Sequence, residues 1–276
     1  MSDAGTGPWS AIILAGQRPG ENDFARSLGY PAKALIPVGG EPMLGRVAKA
    51  LLASPSIARL VVMAQDPSAL VQGELGWLGV EPSIRLATSG DGISRSILDV
   101  AGTEASPWPV LVVTADHALL TPQMIETFLA GTGDTDTAVA VVERRVVEAA
   151  YPETRRTWLK FSDGAFTGAN LFALRTSASR NALEIWAQVE KDRKKVRSLL
   201  RFFGPGLALR ALTRTISLEA AVRTAASRAR FTCKVVQLPI AEAAVDVDKI
   251  EDLRLVERIV SRGTPLDWDV AAKPAL

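Results

Sequence analysis

Charged residues follow strand-like apolar runs at three widely separated points of the chain. Lys33 comes after the run that ends at Gly16, Asp116 directly follows the run PVLVVTA, and Asp246 lies near a late apolar run. In an open parallel sheet, ligands bind at the carboxyl ends of the strands, so residues a hundred positions apart can meet on one edge. Two carboxylates beside a phosphate-type loop indicate a Mg²⁺ site for a nucleoside triphosphate, because Mg²⁺ commonly takes one or two carboxylates plus substrate phosphates.

The loop itself reads QRPGENDFARSLGYPAK, from residue 17 to residue 33. It contains glycine, arginine, proline and a lone lysine, but it matches neither the Walker pattern, which requires GK[ST], nor GxGxxG. The sequence therefore predicts a phosphate-binding loop of another kind, with its lysine far from its glycines.

The two aspartates of the triplet Asp246-Val247-Asp248 are expected to have different roles. Asp248 stands three residues before Glu251 and just before the helical run IEDLRLVERIV, which is a capping-box pattern and predicts a mainly structural role for Asp248. Asp246 is freer to reach a site. Asp116 is difficult to explain as a solvent-facing residue, because it directly follows a fully apolar run.

Alternating strand-like and helical segments predict the scaffold that positions these residues. Apolar runs at 10–16, 59–65, 83–88, 108–116 and 136–145 are separated by helical patterns, one of them over 67–79, which favours an α/β fold with a mostly parallel sheet and helices on both faces. The segment 157–176 has two strand-like runs around Asp163-Gly164 and predicts an antiparallel hairpin. A further strand and a helix are expected after residue 240.

Composition excludes several classes of protein. The chain has 276 residues, 47% of them hydrophobic and 22% charged, with one cysteine, Cys233, so an internal disulfide is excluded. Apolar runs are shorter than the roughly 20 residues that a membrane span needs, and the N-terminus lacks signal-peptide features, so a cytoplasmic location is expected. The segment 191–230 carries 11 basic and two acidic residues, a net charge of +9, against −7 for the remainder. This segment could meet an anionic partner or be a solvated helical face.

Four segments together resemble a known family. ILAG, PAKALIPVGGEPMLGRV, VVTADHALLTP and VDVDKIEDL, in this order, are similar to nucleotidyltransferases of the nucleotide-diphospho-sugar (GT-A-like) fold, which include molybdenum-cofactor guanylyltransferases and methylerythritol-phosphate cytidylyltransferases. The resemblance covers about 10–145 and 231–262, with a weaker match at FTGANLFAL. It implies one Rossmann-like domain over 8–262, with a twisted sheet, a small hairpin, a helical basic insertion at about 179–230, and a tail at 263–276.

The resemblance also implies roles for individual positions. Lys33 would neutralise charge at the reacting phosphate, and Arg18 or Arg26 would be the loop arginine, although the loop is poorer in glycine than is usual in the family. Asp116 and Asp246 would hold Mg²⁺. Nucleotide binding would fall to Leu14, Ala15, Gly16, Ser89, Gly90 and Ser94. Acceptor binding would fall to Lys160, Gly168 and Asn170. The only histidine, His117, is expected to have a positioning or structural role.

The implied reaction is nucleotidyl transfer from an NTP to a phosphorylated small acceptor, with release of pyrophosphate. The acceptor would be a phospho-alcohol, a phosphoglycerate-like acid or a phosphosugar. The basic segment 191–230 could contact the inner face of an anionic membrane, form a homodimer surface or cover an anionic acceptor. Membrane contact would fit activation of a lipid head group, and on that ground CTP is favoured over GTP.

Several alternatives stay open from the sequence. A GT-A glycosyltransferase using an NDP-sugar would explain the DVD triplet as a DxD motif, but that motif normally lies mid-chain and such enzymes do not need Lys33. Two further alternatives are a guanylyltransferase that acts on a cofactor and a non-enzymatic regulator that binds nucleotides. Nucleic-acid binding is not expected, because no recognisable motif accompanies the basic segment.

Overall fold

A computed structural model describes residues 7–17, 23–90, 92–191, 204 and 206–262. The strands are β1 (Trp9–Leu14), β2 (Pro37–Val38), β3 (Glu41–Pro42), β4 (Ile57–Ala64), β5 (Ile84–Thr88), β6 (Val110–Thr114), β7 (Thr137–Glu143), β8 (Leu159–Phe161), β9 (Gly164–Leu174) and β10 (Cys233–Gln237). The α-helices are α1 (Asp23–Ser27), α2 (Met43–Ala53), α3 (Pro67–Leu70), α4 (Ile93–Val100), α5 (Pro122–Gly131), α6 (Arg144–Ala150), α7 (Ser179–Lys191), α8 (Leu218–Arg228) and α9 (Ile250–Ser261). Short 3-10 helices lie at Lys33–Leu35, Gly73–Gly79 and Ala241–Ala244. Residues 206–212 are also helical.

Within these ranges one mixed sheet forms the centre of the molecule. Its strand order is β10-β7-β9-β6-β1-β4-β5, with β8 paired to β9. The pairs β10–β7, β6–β1, β1–β4 and β4–β5 are parallel, whereas β9 runs antiparallel to both β6 and β7. The prediction of a mostly parallel α/β sheet with an antiparallel hairpin at 157–176 is therefore confirmed.

Helices cover both faces of the sheet, as the alternation of side chains along β1 shows. Ile13 packs with α2 and α5 on one face, and Ile12 packs with α4 and α7 on the other; both are fully buried. Successive side chains of a strand point to opposite faces, so an apolar run such as that of β1 requires cover on both sides. The core is therefore two apolar layers separated by the sheet.

The chain reverses its order of strand addition next to β1. From β1 it proceeds to β4 and β5 on one side, and then crosses to β6 on the other side. In open α/β sheets the crevice at such a switch point, outside the carboxyl ends of the strands, is where ligands bind. This topology brings the residues after β1 together with those after β6.

Two sequence expectations were wrong. The helix predicted over 67–79 is divided into α3 and a 3-10 helix, because Gly73 has a φ of +56° and interrupts the α-helical path. The strand expected around Asp246 is instead the 3-10 helix Ala241–Ala244 followed by chain without strand pairing. The triplet reaches the site through this irregular segment.

The basic segment 191–230 lies partly outside the described residues, which omit 192–203 and 205. Its described part includes α8 and an exposed helical stretch in which Leu209 and Leu212 are 61% and 81% exposed. Membrane contact and dimer formation through this segment stay predictions. None of the helices in the described ranges is both long and apolar enough to span a bilayer.

Candidate active site

A cleft of about 430 Å³ opens at the switch point, over the ends of β1 and β6. Its walls include seven of the residues that the sequence singled out, namely Leu14, Ala15, Gly16, Lys33, Asp116, Asn170 and Asp246. Three others, Gln17, Thr114 and Asp248, line it as well. Residues from four distant parts of the chain therefore meet on one edge of the sheet.

The start of the loop after β1 is fixed by Gln65 at the end of β4. The Gln65 side chain accepts a hydrogen bond from the Gln17 N–H (3.0 Å) and donates one to the Gln17 carbonyl (2.7 Å). A Cβ at residue 16 would lie 3.0 Å from Gln65 Oε1, so Gly16 permits this close approach. The Ala15 N–H continues the sheet by donating to the Met63 carbonyl (2.9 Å), so this group is already used.

Lys33 is the cation at the centre of the cleft. It begins the 3-10 helix Lys33–Leu35, and its Nζ donates to Asp116 Oδ2 at 2.5 Å and to Asp248 Oδ1 at 2.7 Å. Burial alone would lower the pKa of Lys33, but the charges of Asp116 and Asp248 outweigh burial and raise its pKa above the ordinary value. The side chain is therefore a permanent positive charge near neutral pH.

Asp116 is held by its own strand end and by the DVD segment. Thr114 Oγ1 donates to Asp116 Oδ1 at 2.5 Å, and the Asp116 carbonyl accepts the Val247 N–H at 3.1 Å. This last bond ties the end of β6 to the segment that carries Asp246 and Asp248. The two acidic regions, 130 residues apart in the chain, thus share one backbone contact.

Asp246 lines the same cleft, with its side chain 25% exposed. Its carboxylate accepts hydrogen bonds from Arg156 and from Asn170 Nδ2, the latter at 3.0 Å. Burial, followed by the charges of Asp116 and Asp248, raises the pKa of Asp246, whereas Arg156 and Asn170 oppose this shift. The smaller contribution, from the neighbouring carboxylates, reflects negative charges gathered in one site, which is the electrostatic condition that favours a bound cation.

Asn170 reaches Asp246 because β9 is irregular at that point. Its φ is +52°, and the pairing of β9 with β7 shifts register between Val139 and Val141. Asparagine tolerates the left-handed backbone better than most residues. The bulge directs this side chain into the cleft, as bulges beside functional sites commonly do.

Sequence reasoning missed the pair formed by Arg156 and Asp252. Their side chains are only 8% and 6% exposed, and Arg156 Nη2 donates to Asp252 Oδ1 at 3.3 Å. Asp252 Oδ2 in turn accepts the Asp248 N–H at 3.2 Å. A signal did exist in the sequence, because Asp252 lies at helical spacing from Leu255, Val256 and Ile259, the buried face of α9.

The helix-capping role predicted for the Asp248 side chain was wrong. Helix α9 begins at Ile250 with Lys249 at its N-cap and no side-chain capping bond. The Asp248 carboxylate instead accepts the Lys33 ammonium, and only its backbone N–H joins the helix start through Asp252. Because the N-cap position falls at Lys249, one residue later than the pattern predicted, the Asp248 carboxylate can contact the cleft.

The family model for the MobA-like NTP transferase domain matches residues 11–211. The chain belongs to this family. Its match covers the loop after β1, Lys33, Asp116 and Asn170, and ends before the DVD segment. The predicted nucleotidyltransferase family is therefore confirmed, and this favours nucleotidyl transfer over the glycosyltransferase reading.

Several solved structures share the fold of this chain. A hypothetical transferase from Thermus thermophilus is 29% identical, with a TM-score of 0.75 over 89% of this chain and 99% of that one. The 4-diphosphocytidyl-2C-methyl-D-erythritol synthase of Anaerococcus prevotii is 12% identical, with a TM-score of 0.56 over 92% and 96% of the two chains. A CMP:2-keto-3-deoxy-manno-octonic acid synthetase complexed with CTP is 16% identical, with a TM-score of 0.55 over 93% and 99%. No protein of curated function matches the chain significantly.

Other candidate residues of this NTP transferase lie apart from the cleft lining. Lys160 is exposed on β8 and Gly168 is exposed on β9. Ser94 is fully buried in α4, and the Gly90 N–H donates to Ser96 Oγ at 3.0 Å. Ser89 Oγ is buried and has no partner among the described residues. The binding roles of these residues stay predictions, and Arg18 lies outside the described residues.

The carboxylates of this NTP transferase suit Mg²⁺ only in part. Asp116, Asp246 and Asp248 supply hard oxygen atoms to one cleft, which is the donor chemistry that Mg²⁺ prefers. Over the described ranges, however, no group of three or more acidic, histidine or cysteine side chains is arranged to hold a metal ion unaided. Such a site fits an ion that takes one or two carboxylates and completes its coordination with substrate phosphates.

His117 is buried beneath the cleft in the NTP transferase domain. It is 1% exposed, and neither ring nitrogen has a hydrogen-bond partner among the described residues. Burial lowers the pKa of His117 to about 4, against the opposing influence of Asp116 and of the Glu242 backbone. The backbone of Glu242 is near enough to the His117 ring to favour its protonated form, but it does not form a hydrogen bond with either ring nitrogen. The histidine is therefore neutral near pH 7 and does not line the cleft.

This burial predicts a pH-dependent stability. The pKa of His117 is about 4 in the folded chain against 6.5 unfolded, so below pH 6.5 the unfolded state takes up a proton that the folded state does not. Lowering the pH from about 7 to about 5 should therefore reduce the free energy of unfolding by about 2 kcal/mol. Urea unfolding of the wild type and His117→Asn at both pH values measures this, since the variant lacks the contribution. Parallel pH profiles for the two proteins would contradict the prediction.

Proposed function

We propose that this NTP transferase couples an NTP to a phosphorylated small-molecule acceptor and releases pyrophosphate. The observation that carries the proposal is the contact of Lys33 with Asp116 and Asp248 at the carboxyl ends of β1 and β6. A cation and several carboxylates at this edge suit a triphosphate and its metal ion better than an uncharged ligand.

The proposed reaction is an in-line displacement at the α-phosphorus. An oxygen of the acceptor phosphate forms a bond to the α-phosphorus, the bond from that phosphorus to the bridging oxygen breaks, and pyrophosphate leaves with the electron pair. The acceptor phosphate is already ionised, so no general base is required. This is consistent with the burial of His117, the only histidine of the chain.

Positioning and charge neutralisation dominate such chemistry. In the proposal, Lys33 leaves its carboxylates to neutralise negative charge at the reacting phosphate. Asp116 and Asp246 would hold Mg²⁺, which supplies Lewis-acid stabilisation of phosphate charge when bound. Thr114 and Asn170 keep the two carboxylates oriented through the hydrogen bonds described above.

CTP is the donor that we propose first, with GTP as the alternative. Two of the solved structures with this fold are named for cytidine nucleotides, but their identities of 12% and 16% support the fold alone. The acceptor classes are phospho-alcohols, phosphoglycerate-like acids and phosphosugars. No contact of the described residues distinguishes among them or between the bases.

Pyrophosphate release from four NTPs against a panel of phosphorylated metabolites tests the proposal. We expect one donor and acceptor pair to give pyrophosphate together with a nucleoside diphosphate-linked product, identified by mass spectrometry. An NDP-sugar arm without any NTP controls for glycosyl transfer. Release of NDP in that arm, with no pyrophosphate in the others, would contradict nucleotidyl transfer.

A further inference from the structure

Lys33 occupies the position that a metal ion would be expected to take. Its ammonium lies 2.5 Å from Asp116 Oδ2 and 2.7 Å from Asp248 Oδ1, bridging two carboxylates from distant parts of the chain. The Asp116 and Lys33 side chains are only 14% and 27% exposed, so solvent screens their interaction weakly. This is the geometry of a resident counterion.

The oxygen atoms that would bind a metal already have partners. Asp116 uses one oxygen for Thr114 and the other for Lys33. Asp246 uses one for Arg156 and the other for Asn170. Thr114 and Asn170 are neutral donors that a carboxylate can keep while it binds a cation, because each oxygen has two lone pairs.

Lys33 differs from these donors because it is charged. Four carboxylates, those of Asp116, Asp246, Asp248 and Asp252, and the two cations Lys33 and Arg156 give the cluster a net charge of −2. An ammonium and a divalent ion bound to the same carboxylates would repel each other strongly in a partly buried site. One of them must therefore leave when the other binds.

We propose that Lys33 acts as a built-in competitor for the metal, and that metal binding displaces its ammonium from Asp116 and Asp248. The displaced Lys33 is then available to the phosphates of the nucleotide. This rests on the proposed function in so far as it places a divalent cation at Asp116. Without nucleotide the two cations are antagonists; with nucleotide, the added negative charge lets both be held at once.

The sign of this coupling distinguishes the proposal from a purely catalytic role for Lys33. Removing the lysine leaves the cluster with a net charge of −3 and the carboxylates without the competing ammonium, so the nucleotide-free protein should bind a divalent cation more tightly. Removing a lysine that only contacts phosphate would leave metal binding without nucleotide unchanged. If the Lys33 ammonium and the metal ion exclude each other from the carboxylates, the effect is reciprocal, so it can be measured as the metal affinity of proteins with and without Lys33.

Titration with Mn²⁺ in the absence of nucleotide, followed by the electron paramagnetic resonance of the free ion, tests this. We expect Lys33→Met to bind Mn²⁺ at least about tenfold more tightly than wild type, since a charge contact of this kind is worth more than 1.4 kcal/mol. Lys33→Arg keeps the positive charge and should remain weak. Lys33→Met combined with Asp116→Asn should lose the gain, which assigns the ion to this site.

Thermal melting of each variant verifies that it is folded, and Lys33→Gln serves as a second neutral variant. Adding a non-hydrolysable NTP analogue should reverse the order, so that wild type then binds the Mn²⁺–nucleotide complex more tightly than Lys33→Met. Asp116-dependent Mn²⁺ binding that is equal or weaker in both neutral variants would overturn the competition while leaving the metal site of the proposed function intact. Absence of any Asp116-dependent binding, both with and without the nucleotide analogue, would overturn both.

Discussion

Replacing Asp116 with asparagine is expected to lower the rate of pyrophosphate release at least about 100-fold, equivalent to about 3 kcal/mol in the barrier, and Lys33→Ala should have a loss of similar size. Asp116 is the carboxylate that contacts Lys33 at 2.5 Å, and asparagine keeps its shape while removing its charge. The loss should appear in kcat, because Asp116 would hold the metal ion, and the positive charges of that ion and of Lys33 would stabilise the reacting phosphates more than they stabilise the bound substrate. Steady-state kinetics with the donor and acceptor found in the screen measure it.

Asp99→Asn is the matched control for this prediction. Asp99 lies on α4, its side chain is 61% exposed, and it pairs with Arg95 one helical turn away. The same loss of one negative charge at this surface position should leave turnover within about twofold of wild type, because exposed pairs contribute little. Near-normal turnover in both Asp116→Asn and Lys33→Ala would exclude the proposed mechanism.

Replacing Arg156 with methionine is expected to destabilise the fold by about 3–5 kcal/mol, because it leaves buried carboxylates without their counterion. Arg156 is 8% exposed and contacts Asp246 on one side and Asp252, itself 6% exposed, on the other. Denaturant unfolding at neutral pH measures the loss. The destabilisation should become smaller at acidic pH, where the freed carboxylates can be protonated.

Arg258→Met provides the comparison for the buried arginine. Arg258 pairs with Glu153, but the two side chains are 48% and 55% exposed, so the expected change in unfolding free energy is below about 1 kcal/mol. If the Arg156 and Arg258 variants lose equal stability, the buried network does not contribute as we infer. Retention of activity in a folded Arg156→Met protein would further show that Asp246 needs no such support.

The elements of the sheet could largely be predicted from the sequence. The runs that became β1, β4, β6 and β7 are largely apolar on both faces, a pattern set by burial and therefore visible locally. The short 3-10 helix before Asp246 was not predictable in this way. Its alanines fit several conformations, and its packing partners come from other parts of the chain.

Single residues of the cleft could be predicted where the local sequence constrains them strongly. Asp116 follows a fully apolar strand, and few roles other than ligand binding suit a carboxylate there. Asp248 could not be assigned correctly, because capping and site roles produce the same local pattern. The choice between them depends on the position of Lys33, which is 215 residues away.

The sequence by itself determined the layered α/β scaffold and the position of the loop after β1. It also singled out Lys33, Asp116 and Asp246, one by one, as candidate site residues, because hydrophobic periodicity and strand-end chemistry are local properties. Only the tertiary structure decided that Lys33 bridges Asp116 and Asp248. It also decided that Arg156 and Asp252 form hydrogen bonds to the DVD segment and to each other. Ion pairs and buried hydrogen bonds depend on distances between strands that the crossover at β1 brings together. Those distances are set by the packing of the whole sheet, and no short stretch of sequence encodes them.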